Sequence, residues 1–263
     1  APRDCSFPGR GLAAGRRRSA EVSFVAHVFG WFTTSANWTG SQGIPILFWN
    51  QLKLSAAVVV TAIALGGGLG VFLGHTGRGG LIAVNAANAF RAVPTLALLT
   101  LLAIQPAISL KWSGFLASWL ALTALAIPPI LTNTYVGMQQ VDADVRDAAK
   151  AMGLTGGQVL RTVEAPLAVP FVMAGIRTAS IEVVATSTLA AYVSYSDLGT
   201  LVISGLDTND AVVAFSGAVL VAVMAGLVTL VLSLLTRVVT PIPLRRKARR
   251  SLLGAATTGL PAT

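Results

Sequence analysis

Five long apolar runs dominate the chain, at about 52–74, 81–104, 112–136, 167–193 and 211–236. Each has roughly the 17–25 residues that a helix needs to cross a bilayer. Polar and apolar positions do not alternate within them, which argues against a β-barrel. Five such runs are also too many for the interior of one soluble domain. A shorter run, "VSFVAHVFGWFTT" at 22–34, cannot cross alone and reads as an amphipathic interfacial helix. The fold class is therefore an all-α membrane protein, a polytopic helical bundle. Within the first run Gly66, Gly70 and Gly74 are four residues apart, so one helix face is nearly bare backbone and suited to close helix packing.

Composition agrees. Of 263 residues, 54% are hydrophobic and 11% charged, where a soluble domain carries about 25% charged residues. The net charge of +9 collects at the termini, in Arg16, Arg17 and Arg18 and in Arg245, Arg246, Lys247, Arg249 and Arg250. No basic face interleaved with aromatics lies between them, so the charge reads as membrane topology rather than nucleic-acid binding. With the N-terminus outside, the short inner loops receive Arg78, then Arg146, Lys150 and Arg161, then the basic tail. The outer loops receive Lys53, Lys111, Asp197, Asp207 and Asp210. Only Arg16–Arg18 break this positive-inside pattern. Residues 1–21 read as a disordered or non-native extension, 22–50 as an interfacial segment, 51–236 as the membrane domain and 237–263 as a basic cytoplasmic tail.

One segment interrupts this grease: "DVRDAAKAMGLTGGQVLRTVEAPLAVP", 144–170. Asp144 is placed to cap a helix with Asp147 in its first turn, and both acids favour the positive end of the helix. Alanines, Lys150 and Met152 carry that helix on, and Gly153 supplies a left-handed stop. Thr155 with Gln158 forms a capping box for a second helix, expected to end before Pro166. Val145, Ala148, Ala149 and Met152 fall at helical spacing as one apolar stripe. Such a stripe lies on the membrane surface or against a partner.

Three charges fall inside the spans: Arg91 about ten residues into the second, and Arg177 and Glu182 in the fourth. A charge near the bilayer centre costs about 2.5–3.5 kcal/mol on insertion scales, so each must face protein or a watered path. One reading is an internal Arg–Glu pair that fixes packing; the other places Arg91 or Glu182 on a substrate path. Trp112, Trp119, Tyr192 and Tyr195 read as an interfacial belt rather than an aromatic cage. Catalytic chemistry is not visible: no Walker A sequence, no nucleophile–base set, and no metal-ligand spacing around Cys5, His27 or His75. The chain is read as neither an enzyme nor a cofactor or metal carrier. Pro94 and Pro128-Pro129 are candidate helix breaks such as an ion-coupled secondary transporter uses, but no repeat relates the two halves.

Asp147-Ala148-Ala149, Gly153, Val163, Ala165 and Pro166 resemble the "EAA" signature of ABC-importer permeases, Glu-Ala-Ala-x3-Gly-x9-Ile-x-Leu-Pro, with Asp for Glu, Val for Ile and Ala for Leu. "NAFRAVPTLALLTLL" at 88–102, "IPPILTNTYVGMQQVD" at 127–142 and "PLAVPFVMAGIRTASIEVVATSTLAAYV" at 166–193 are similar to the osmoprotectant branch, which imports glycine betaine, choline, carnitine or proline betaine. The resemblance implies a MetI-like five-helix core and a cytoplasmic EAA coupling helix. It implies a second permease subunit, identical or paralogous, two cytoplasmic ATP-binding subunits that hydrolyse ATP, and a separate extracytoplasmic binding protein. On it, Ala148, Ala149, Gly153 and Leu154 would meet the ATPase, Asp147 would cap the helix or pair with a basic partner residue, and Pro166 would pass motion into the membrane. An importer of methionine or another small solute is the alternative cargo.

Overall fold

The computed structural model describes residues 24–105 and 114–239. The extension 1–21, Cys5, Arg16–Arg18, Lys111, Trp112 and the basic cluster at 245–250 lie outside the described residues. Those described form helices α1 Phe24–Thr33, α2 Ile44–Thr76, α3 Gly80–Phe90, α4 Thr95–Ala103 and α5 Phe115–Gln139. After these come α6 Ala143–Ala151, α7 Gly156–Val193, α8 Leu198–Asp207 and α9 Ala211–Val239. The helices α2, α5, α7 and α9 are long and apolar enough to cross a membrane, and the bent pair α3–α4 makes up to five spans.

The centre of the bundle is α5. In its most apolar stretch 61% of residues are buried, against 6% in α9, which lies at the periphery. Leu54, Val58 and Ala62 of α2 meet Leu122, Ala126 and Ile130 of α5 and Ala179 and Val183 of α7 in the main core. Leu47, Val184, Leu198 and Met224 form a second cluster joining α2, α7, α8 and α9. The glycine face of α2 does what its spacing predicts. A methyl on Gly66 would lie 2.9 Å from the Ile127 carbonyl, one on Gly70 2.7 Å from Thr134 Cβ, and one on Gly74 would strike Met138. These contacts climb both helices in the same order, so α2 and α5 run parallel. Against α5, α7 runs antiparallel, with Gly175 over Pro129 and Gly137 over Phe171.

Four expectations are corrected. The first span begins at Ile44 rather than 52, because Pro45 opens the helix and the polar Asn50 and Gln51 find partners inside the bundle. The second span, 81–104, is not one helix: α3 and α4 meet at 79°. Pro94 disfavours helical geometry at Val93 and lacks the N–H to continue the ladder. Pro128 and Pro129, by contrast, do not break α5; both are buried where Gly66 and Gly175 close in from two sides. Finally, the helix after Thr155 does not end before Pro166. It continues to Val193 through a wide π-turn at Leu160–Glu164, where the Ala165 N–H reaches back to the Leu160 carbonyl. The extra residue in that turn gives the backbone room to carry Pro166 in the next helical turn.

Candidate functional site

The polar segment forms two capped helices at the end of the bundle where α2 and α5 both finish. Asp142, not Asp144, caps α6: its carboxylate accepts from the Asp144 N–H at 3.0 Å. Asp144 lies within the first turn, so it interacts with the helix dipole without capping it. Gly153 adopts φ +85° and ends the helix, as its spacing predicts, and a side chain there would point into open space. Thr155 and Gln158 form the predicted capping box. Asp147 is exposed and lies 3.5 Å from Lys150, a surface pair.

The apolar stripe of α6 splits. Val145 is 44% and Met152 76% exposed, with Ala148 exposed between them, whereas Ala149 is buried inside the chain. Ala149 therefore packs α6 against its own bundle. Leu154 is half-buried, its N–H bonded back to the Ala149 carbonyl at 3.3 Å.

Sequence reading missed what holds α6 in place. Glu164, in the π-turn of α7, is only 2% exposed. Its Oε1 lies 2.8 Å from Nε of Arg146 on α6, and its Oε2 lies 2.6 Å from Nδ1 of His75 in the last turn of α2. The Arg146 guanidinium also donates to the Met138 carbonyl at the end of α5, and Gln139 donates to the Gly74 carbonyl at 3.2 Å. The buried carboxylate of α7 thus ties α6 to α2, and Arg146 carries the tie on to α5. His75, which lacks metal-ligand spacing in the sequence, belongs to this junction. The available signal was the acid itself: Glu164 stands in helical phase with buried Ala168, where an unpaired charge would be costly.

The charges inside the spans come together in part. Nη2 of Arg91 donates to both carboxylate oxygens of Glu182, at 3.0 and 2.9 Å. Arg91 is not in mid-helix as expected but at the end of α3, in the break before α4. Arg177 is exposed and joins no ion pair among the described residues. A groove of about 460 Å³ between α2, α7 and α9 has an apolar lining broken only by Ser55 and Ser180, so it offers a polar solute no charged partner.

At the opposite end, Gln51 of α2 is fully buried. It donates to the Val184 carbonyl at 3.0 Å and accepts from the Leu198 N–H at 3.2 Å. Asn50 donates to the Ser196 carbonyl at 2.9 Å, and the Tyr195 hydroxyl donates to the Asn50 carbonyl at 2.9 Å. Tyr195 is therefore part of a clasp between α2 and the turn before α8. Asp197, in the turn outside the spans, caps α8 through the Gly199 N–H, while its Oδ2 is buried without a partner. Burial pushes this carboxyl from the usual 3.8 up to about 7 against the pull of its backbone hydrogen bonds. Burial, with Asp197 nearby, also raises Tyr195 to about 12.

Comparison with known proteins fits this architecture. Over 201 residues the chain is 33% identical to the carnitine transport permease protein OpuCD of Listeria monocytogenes, covering 76% of this chain and 88% of that one. It is 34% identical over 191 residues to the glycine betaine/carnitine/choline transport system permease protein OpuCB of Bacillus subtilis, covering 73% and 86%. The choline transport system permease protein OpuBB of the same organism is 30% identical over 198 residues, covering 75% and 88%. Among solved structures, the MetNI methionine ABC transporter in an inward-facing conformation has a TM-score of 0.65 at 24% identity, over 73% of this chain and 94% of that one; at that identity the likeness concerns the fold. Residues 62–243 match the model of a family of transport proteins, and the chain belongs to that family, the binding-protein-dependent transport system inner membrane components.

Proposed function

We propose that this chain is the membrane-spanning subunit of an ATP-driven importer for osmoprotectants of the glycine betaine, choline and carnitine type. It forms the translocation path and couples to a cytoplasmic ATPase through α6. The observation that carries the coupling role is a nine-residue helix, outside every span, that exposes Val145, Ala148 and Met152 while a buried carboxylate fixes its base. A short amphipathic helix of this kind is recognised by laying its apolar residues into a groove. The substrate assignment is supported by the named transport activities of the carnitine, choline and glycine betaine relatives. On this reading α6 and the basic tail are cytoplasmic and two permease subunits pair in the inner membrane. Two ATP-binding subunits perform the hydrolysis, and a separate extracytoplasmic protein captures the solute.

Gly153→Asp tests the coupling role. The residue has φ +85° and open space beside it, so the substitution costs about 1 kcal/mol of backbone strain without a clash. The variant is expected in the membrane at normal levels, with copurification of the ATPase and ATP-dependent uptake of glycine betaine both lost. Normal uptake by this variant refutes docking through α6.

A further inference from the structure

We infer that Arg91 and Glu182 form a charge-exchange site on the translocation path, one that a zwitterion opens by taking over both halves of the ion pair. This inference rests on the osmoprotectant reading above and adds to it a binding site within the membrane subunit.

The position of the pair comes first. Glu182 lies within α7, a helix long and apolar enough to cross the membrane, and Arg91 occupies the 79° break between α3 and α4. A break frees backbone groups and a side chain from the helical lattice, and inside a membrane such irregular backbone occurs where it is buried in protein or lines a watered cavity. The pair is not buried: the Arg91 side chain is 39% and the Glu182 side chain 24% exposed. Its surroundings on α7 are open too. Phe171, Ala174, Arg177, Thr178, Ile181 and Ala185 are all exposed along one face, and Arg177 and Thr178 make that face polar at membrane depth. A face carrying two charged residues and a hydroxyl does not suit hydrocarbon, so it borders water or protein in the assembled transporter.

The chemistry follows from the pair itself. Nη2 alone holds both Glu182 oxygens, rather than two guanidinium nitrogens engaging the carboxylate in parallel as in the strongest Arg–carboxylate geometry. A quaternary ammonium bearing a carboxylate presents the complementary charges in one molecule. Its cationic end satisfies Glu182, its carboxylate satisfies Arg91, and neither side chain is left unpaired. Exchange of one ion pair for two therefore avoids the several kcal/mol that an isolated charge would cost at this depth. A cation without a carboxylate, such as choline, can satisfy Glu182 only by leaving Arg91 uncompensated. The site thus favours passage of zwitterions over simple cations, whatever the binding protein delivers.

The test uses the whole transporter, with permease, ATPase and binding protein in proteoliposomes, and measures ATP-dependent uptake of glycine betaine and of choline. Arg91→Gln is expected to lower the glycine betaine-to-choline uptake ratio by about tenfold, equivalent to about 1.4 kcal/mol of lost discrimination. Arg91→Lys, which keeps the charge, is expected to recover most of that ratio. The double variant Arg91→Gln/Glu182→Gln removes both charges of the pair together, so neither is left without its partner. It is expected to assemble and hydrolyse ATP while its preference between the two solutes collapses. Parallel loss of both uptakes, or an unchanged ratio in the double variant, assigns the pair to packing and overturns the inference. If the wild-type transporter imports neither solute with ATP, the osmoprotectant reading fails and the site falls with it.

Discussion

Replacing Glu164 with glutamine removes one charge and almost no volume, and the structure lets its effect be sized. Deleting one partner of a buried ion pair costs about 3–5 kcal/mol when the other is trapped. Here Arg146 and His75 keep 21% and 30% of their side-chain surface exposed and can partly rehydrate, and glutamine retains one acceptor. A loss of about 2 kcal/mol is the reasonable expectation, a roughly thirty-fold shift. That shift falls on α6, because Ala149 is the only residue of this helix that is buried. Hydrogen exchange of the permease in nanodiscs measures it directly: amides at 146–152 are expected to exchange at least tenfold faster in Glu164→Gln, with 117–131 of α5 unchanged. Arg146→Gln should reproduce the effect, and the double variant should fall short of additivity by about 1 kcal/mol. Wild-type protection of α6 in Glu164→Gln, or strictly additive effects, would refute the anchoring argument.

Gly70→Val should destabilise the bundle by about 2–3 kcal/mol, because its Cβ meets Thr134 Cβ at 2.7 Å and the Leu131 carbonyl at 2.9 Å. Gly68→Ala, which meets nothing within 4 Å, should be neutral or slightly stabilising; thermal unfolding in detergent compares them. For Asp197 the folded carboxyl binds its proton with a pKa of about 7 against 3.8. The folded state therefore holds the extra proton between those values, and the contribution is full below 3.8 and lost as pH rises through about 7. Thermal stability should fall from pH 5 to 8, and Asp197→Asn, which keeps the cap on Gly199, should flatten that dependence. Tyr195→Phe removes the bond to the Asn50 carbonyl and should lower stability by about 1 kcal/mol in the same assay.

Features set by local chemistry could be read from the residues alone. Apolar length located the spans, the four-residue glycine spacing found the face that α5 covers, and Gly153 with Thr155 and Gln158 marked the turn between α6 and α7. Features set by distant contacts could not. The bend at Arg91 interrupts a run whose hydropathy is continuous, so only Pro94 hinted at it. The π-turns at Ile63–Gly67 and Leu160–Glu164 insert one residue each and leave no trace in composition. Glu164 acquires its role from His75, 89 residues away. Asp142 displaced Asp144 as the cap because two acids two residues apart satisfy the same capping pattern, and the exit of the chain from α5 decides between them.

α7 is one continuous helix, and that continuity has a mechanical consequence. Glu164 and Glu182 are 18 residues apart on it, which is about five whole turns and about 27 Å of rise. The two carboxylates therefore project from nearly the same side of a single rod, one gripping α6 and α2, the other gripping the break between α3 and α4. Rolling that rod about its axis swings both grips through the same angle in the same sense. Tilting it by about 10° about its middle instead moves the two carboxylates, about 16 and 11 Å from that middle, by about 3 and 2 Å in opposite directions, so one grip is pulled outward as the other is pushed in.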